Sequence, residues 1–143
     1  MSDVLENITA VEEEISKIVI ELYDTNILFH ENNDHKAAHD YIETYIKRIT
    51  RIAFRLGKSR FTALRDSCVI FHSILDELYK NNTQITEEQF QQFEVWPTLT
   101  LAYIDNPSDK DNIDLLLQLL QDSIWSYQAD ESDIQQLNNA FYN

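Results

Sequence analysis

Two histidines and a glutamate are spaced for metal binding near the start of a predicted helix. His35, His39 and Glu43 lie four residues apart and share one helical face, and imidazole with carboxylate ligands suits a transition metal. A di-iron bundle would need a second such pair on another helix, and the sequence has none. Histidines at a polar helix start are more often exposed to solvent. Metal binding is therefore kept as an alternative hypothesis, and no cofactor is predicted.

The lone cysteine, Cys68, lies on the apolar stripe of another predicted helix, where a small buried hydrophobic side chain is expected. Arg65 and His72 flank it by about one turn, and they would lower the thiol pKa if the sulfur were exposed. One cysteine allows neither an internal disulfide nor a multi-cysteine zinc site, and a single glycine, Gly57, allows no glycine-rich phosphate loop. The sequence therefore predicts a protein that is not an enzyme.

Charge is divided unevenly along the chain. Seven of the eleven basic residues fall in a stretch without Asp or Glu, which carries +7, while the rest of the chain carries −21 and the net charge is −14. Such a division steers and orients partners. The predicted partner-binding residues are Lys47, Arg48, Arg51, Arg55, Lys58, Arg60 and Arg65.

The basic stretch also has a local explanation. Cations at the end of a helix complement its dipole, and they can form salt bridges with acids of the same domain. Docking of an acidic protein surface is the functional interpretation. Nucleic acid is a weaker one and an anionic membrane is not expected, because the −21 remainder would be repelled along an extended phosphate surface. The nearby aromatic residues Tyr45, Phe54 and Phe61 fit core positions better than a base-stacking platform.

Composition indicates the elements that would position these residues. Tight β-hairpin turns usually contain glycine or proline, and the chain has only one glycine and two prolines. Its content of 43% hydrophobic residues is sufficient for a core. We expect an all-α fold: an antiparallel bundle of three long helices followed by about four short ones. It forms a single domain over 1–143, with a three-helix half (1–82) and a short-helix half (83–143) packed on it. Without a signal-peptide pattern, and with one cysteine, the expected location is cytoplasmic.

Apolar periodicity and capping signals set the predicted helix bounds. The long helices span about 3–29, 35–56 and 59–80, and the polar cluster at 32–34 ends the first and caps the second. Gly57 is expected to end the second helix in the left-handed conformation. The short helices begin at a Thr86–Gln89 capping box, at Pro97, at 109–111 and at 130.

The turn between the second and third long helices carries a resemblance. Its residues are Leu56, Gly57, Lys58 and Ser59, continuing into Phe61, Leu64 and Cys68. This stretch resembles the central hairpin of histidine phosphotransfer (HPt) domains, in which the phospho-accepting histidine lies roughly three turns before a Leu-Gly turn. The corresponding positions here are Lys47, Arg48, Thr50 and Arg51. Because the nucleophile is missing, the resemblance implies the bundle but not phosphotransfer.

A second stretch, WPTLTLAYIDNP at 96–107, looks like a segment of FimL-type scaffold proteins and of the amino-terminal region of ChpA/PilL-type chemosensory kinases of twitching bacteria. In those proteins it follows a degenerate phosphotransfer-like bundle and precedes a leucine helix with a later tryptophan, here Leu115–Leu120 and Trp125. The order agrees over roughly 35–137. The resemblance implies a non-catalytic scaffold in type IV pilus or chemosensory signalling.

The sequence thus predicts an adaptor whose partner is another protein, such as a receiver domain with its acidic pocket or a pole-localising scaffold. A homodimer through apolar residues of the short helices is also compatible with it. The first alternative is an acidic immunity or antitoxin-like protein that masks a basic partner with a face including Glu12, Glu13 and Glu14. The second alternative is the metal-binding helical protein described above.

Overall fold

Six helices make up the part of the chain that the computed structural model describes, which is residues 2–81, 85–125 and 127–142. These three segments contain no β-strand, and none of their helices combines the length and apolarity needed to cross a membrane. The all-α prediction is confirmed. The helices are α1 (Ser2–Asn32), α2 (His35–Leu56), α3 (Thr62–Asn81), α4 (Glu87–Asp105), α5 (Lys110–Leu120) and α6 (Glu131–Tyr142).

Side-chain caps begin several of these helices where the sequence places them. The Asp34 carboxylate accepts a hydrogen bond from the backbone N–H of Ala37 at 2.9 Å at the start of α2. At the start of α4, Thr86 and Gln89 form the predicted capping box, with reciprocal bonds of 3.0 and 3.1 Å. Asp109 caps α5. The predicted starts of these three helices are confirmed.

The helices close into a bundle around one core. Along α2, Tyr41 contacts Glu21 and Arg55 contacts Asn7, so α2 runs antiparallel to α1. A five-residue connection over 57–61 turns the chain back into α3, which packs on α2. α4 packs against α1 and α5, and α5 and α6 cover α3. The buried apolar cluster takes side chains from all six helices, among them Ile15, Tyr45, Phe71, Trp96, Leu116 and Leu137.

The fourth helix is a single element of nineteen residues with Pro97 inside it. The prediction of two short helices, with Pro97 opening the second, is therefore wrong. Because α4 is nearly as long as α3, the described segments hold four long helices and two short ones, and not three long and about four short. Proline supplies no N–H, which leaves the Phe93 carbonyl without its helical donor. The Tyr45 hydroxyl donates to that oxygen at 2.9 Å. The replacement donor comes from α2, so α4 continues through the proline with its buried carbonyl satisfied.

Gly57 has right-handed backbone angles, with φ −62° and ψ −18°, and the predicted left-handed conformation is wrong. The chain leaves α2 through tight turns: the N–H of Lys58 donates to Arg55 at 3.1 Å, and that of Ser59 to Leu56 at 3.0 Å. These bonds satisfy the last carbonyls without a left-handed residue. Among the described residues, the positive φ of 51° belongs to Asn33, between α1 and α2.

Candidate functional site: the basic corner

The two spaced histidines, His35 and His39, each contact a backbone carbonyl oxygen of another segment of the bundle. His39 Nε2 lies 2.9 Å from the Tyr79 carbonyl oxygen, and the two rings stack at 4.7 Å. His35 Nδ1 lies 3.0 Å from the carbonyl oxygen of Ile85, while Glu43 accepts a bond from the Tyr79 hydroxyl at 3.2 Å. No group of three or more His, Cys, Asp or Glu side chains is placed to hold a metal ion within the described segments. The described geometry gives these histidines structural partners.

Cys68 is fully buried on α3, as expected. Burial raises the pKa of its thiol to about 12, with a smaller opposing effect from a hydrogen bond with Ser67. At neutral pH the sulfur is therefore a protonated thiol, which is a poor nucleophile. The side chain acts as a small apolar residue of the core.

Arg48 connects α2 to α1. Its Nε and Nη2 donate to the two oxygens of Glu21 at 3.0 and 2.8 Å, and its Nη1 donates to Glu14 at 3.1 Å. Tyr41 adds a bond to Glu21 at 3.0 Å. The Arg48 hydrogen bonds lower the pKa of Glu21 from its usual value, against the opposing effect of burial. With its side chain only 16% exposed, Arg48 is engaged in packing the two helices together.

Two further cations of the predicted site pair locally. Lys47 lies 3.8 Å from Glu43, one helical turn away, and both side chains are mostly exposed. Arg65 donates to the neighbouring Asp66 at 2.9 and 3.1 Å. Exposed pairs of this kind contribute little stability, but they reduce the charge available to a partner.

The remaining four cations lie at the end of α2 and in the turn that follows it. Arg51 is 60% exposed along its side chain and reaches Glu14 only at 4.0 Å. Arg55 donates to the Asn7 amide oxygen at 3.2 Å, and its side chain is exposed to solvent. Lys58 and Arg60 are exposed in the turn. These cations present charge to solvent at the carboxyl end of a helix, where the dipole favours it.

An exposed phenylalanine lies among these cations. Phe54 is 61% exposed, so the prediction that it belongs to the core is wrong, whereas Tyr45 and Phe61 are buried as expected. The Lys58 ammonium sits 4.3 Å from the centre of the Phe54 ring. Helical register gave a signal for this exposure, since the buried stripe of α2 passes through Ile52 and Leu56 and position 54 points away from both.

We call this surface the basic corner and define it by Arg51, Phe54, Arg55, Lys58 and Arg60. It combines an exposed ring with guanidinium and ammonium donors, which are groups that bind carboxylate or phosphate. The corner can therefore hold an acidic surface in place.

The comparisons with known proteins add no relative: no protein-family model, no curated protein and no solved structure matches the chain.

Proposed function

We propose that this chain is a non-catalytic adaptor that binds an acidic protein through the basic corner. The observation that carries the proposal is Phe54, held 61% exposed with Lys58 over its ring and with Arg51 and Arg55 on the same helix. Interfaces are enriched in aromatic residues and arginine, and an exposed ring among cations has the composition of such an anchor. The charge of −21 outside the basic stretch 47–65 would orient an acidic partner toward this corner.

The partner class follows from the same chemistry. A receiver domain presents an acidic phosphorylation pocket, which is complementary to a cationic turn, and an acidic polar scaffold would be complementary too. Together with the resemblance to degenerate phosphotransfer domains, this supports a scaffold role in type IV pilus or chemosensory signalling, with a cytoplasmic location. Arg48 is omitted from the proposed contact because it is largely buried against Glu14 and Glu21.

The test is a charge reversal with a matched control. The double variant Arg51→Glu/Arg55→Glu changes the net charge by the same amount as Lys36→Glu/Lys80→Glu, whose lysines pair locally on α2 and α3. Binding of purified receiver domains from the same organism is measured by biolayer interferometry. We expect the arginine variant to weaken binding by about 100-fold and the lysine variant to change it far less.

Equal weakening by both variants would show that net charge, and not the basic corner, governs binding. Receiver domains that do not bind the wild-type chain would remove that partner class and leave the polar scaffold to be tested in the same way. Circular dichroism of each variant establishes that helicity is retained.

One observation favours a second candidate, an acidic protein that masks a basic partner in the manner of an immunity protein or antitoxin. Glu12 and Glu13 are exposed on α1, whereas Glu14 is engaged with Arg48. Masking would therefore depend on Glu12 and Glu13 more than on the arginines, and its binding would weaken steeply with salt.

A further inference from the structure

A groove lies between α1 and α4, on a different helix pair from the basic corner. Its first part is a cavity of about 210 Å³. A second part continues along α4 and shares Glu94 and Thr98 with the first. We call the whole the α1–α4 groove, and its lining residues are Val19, Leu22, Tyr23, Asn26, Gln91, Glu94, Val95, Thr98 and Leu99.

The rim of the α1–α4 groove is apolar and exposed to solvent. Tyr23 is 68% exposed, Val19 49% and Val95 40%, although a bundle of this kind would ordinarily turn such side chains inward. Ile20 and Ile27, which follow Val19 and Asn26 in the sequence, are also exposed. Exposed apolar side chains that line a groove from two helices are typical of a protein interaction site.

One polar atom of the groove lining is an unused hydrogen-bond acceptor. The Oδ1 atom of Asn26 is buried and accepts no hydrogen bond within the described part of the chain. Glu94 lines the same cavity with an exposed side chain, and its partial burial raises the pKa of its carboxyl above the usual value, with a smaller opposing effect from His30. A buried acceptor without a donor destabilises the free protein. An occupant that donates hydrogen bonds would supply a donor for Asn26 and a charged partner for the exposed Glu94 carboxylate.

The charge of the groove and of the whole chain indicates which kind of ligand could bind to this surface. The lining residues include a carboxylate and no Lys or Arg, in a chain of net charge −14. A second copy would bring another −14 toward the first, and anionic lipid would be repelled in the same way. An amphipathic helix with apolar and cationic faces matches both the rim and the acceptors.

We propose that the α1–α4 groove is a docking site for a cationic amphipathic helix of a partner protein. Apolar side chains of that helix pack between Tyr23 and Val95, and a lysine or arginine donates to Glu94 and to Asn26. This site is separate from the basic corner. It prefers a cationic ligand, whereas the basic corner prefers an acidic one. The chain would then hold an acidic partner and a basic one at two surfaces.

The test uses a fluorescein-labelled peptide of eighteen leucines and lysines, patterned so that each type occupies one helical face, and follows its binding by fluorescence anisotropy. The matched pair of variants is Glu94→Gln and Glu88→Gln. Both glutamates are exposed on α4 and both substitutions remove one negative charge, but only Glu94 lines the groove. We expect Glu94→Gln to raise the Kd about tenfold, and Glu88→Gln to raise it less than about twofold.

The apolar rim is tested by a second pair, Val95→Asn and Leu115→Asn. These side chains are similarly exposed, at 40% and 45%, and Leu115 lies on α5 outside the groove. Only Val95→Asn should weaken binding of the peptide. A third variant, Asn26→Leu, removes the unsatisfied oxygen. It should raise the thermal midpoint of unfolding of the free protein, and it should weaken binding of the peptide.

Several outcomes would overturn the proposal. Equal effects of Glu94→Gln and Glu88→Gln would mean that the peptide responds to overall charge. Equally tight binding of a leucine–glutamate peptide would mean that the groove has no preference for cations. Dimers in sedimentation velocity that Val95→Asn dissociates would assign the groove to a second copy. None of these results bears on the basic corner, whose arginines lie elsewhere.

Discussion

One hydroxyl group of α2 donates to the α4 carbonyl that Pro97 leaves without its helical donor, and the contribution of this bond to stability can be measured. Tyr45 is fully buried, and burial raises its pKa well above the usual value, so its hydroxyl stays protonated and donates to the Phe93 carbonyl at 2.9 Å. The substitution Tyr45→Phe removes the donor and keeps the ring that packs against Phe71 and Trp96. The carbonyl that Pro97 cannot satisfy is then left buried without a donor.

Leaving a buried acceptor unsatisfied costs about 1–3 kcal/mol, so Tyr45→Phe should lower the free energy of unfolding by that amount. The cost should depend on Pro97. In a Pro97→Ala background, position 97 regains a backbone N–H that can donate to Phe93 along the helix. There Tyr45→Phe should cost less than about 1 kcal/mol, which is a coupling energy on the order of 1–2 kcal/mol.

The assay is urea unfolding of the wild type, both single variants and the double variant, followed by far-ultraviolet circular dichroism. The denaturant slope m should be the same in all four proteins, since the surface exposed on unfolding hardly changes. If Tyr45→Phe costs the same in both backgrounds, to within about 0.5 kcal/mol, the hydroxyl does not replace the missing helical donor and the reasoning is refuted.

Three other substitutions test contacts described above. Arg48→Ala should destabilise the protein by about 2 kcal/mol, because Glu21 loses a two-pronged charged bond, and chemical unfolding measures the loss. Since the folded pKa of Glu21 is lowered, its contribution is complete above the unfolded value of about 4.3 and is lost as pH falls through the folded pKa. Wild type should therefore lose more stability than Arg48→Ala on acidification from about pH 5 to 3, and parallel losses would contradict this. His39→Ala should cost about 1–2 kcal/mol through the lost carbonyl bond and stacking on Tyr79, and an unchanged thermal midpoint would contradict it. Gly57→Ala should stabilise by about 0.5 kcal/mol, because φ is −62° and the new methyl group meets its nearest neighbour at 3.4 Å, and a fall in the urea midpoint would show strain.

Helix starts could be predicted from the sequence because their causes are local. Asp34 and Thr86 bond to backbone groups three residues away, so the capping pattern alone indicates where α2 and α4 begin. The continuity of α4 through Pro97 could not be predicted in this way. The hydroxyl that donates to the Phe93 carbonyl belongs to Tyr45, which lies forty-eight residues earlier in the chain.

The candidate site shows the same division between local and distant causes. The charge count finds the basic stretch, but it cannot separate Arg48 from Arg51, because the acids that bind Arg48 lie on α1, twenty-seven or more residues away. The exposure of Phe54 could have been predicted from the register of α2. The α1–α4 groove could not have been predicted in this way, because Val19 fits the apolar stripe of α1. The exposure of Val19 depends on how α4 packs against α1.

The most direct test of the adaptor proposal measures how strongly one partner depends on each of two surfaces, the basic corner and the acidic face at Glu12 and Glu13. A protein that co-purifies with the chain from its native cell is isolated, and its Kd is measured for wild type, Arg51→Glu/Arg55→Glu and Glu12→Lys/Glu13→Lys. The arginine variant should lose about 100-fold in affinity, while the glutamate variant should stay close to wild type. Loss of binding in the glutamate variant alone would contradict the adaptor proposal and would favour masking of a basic partner.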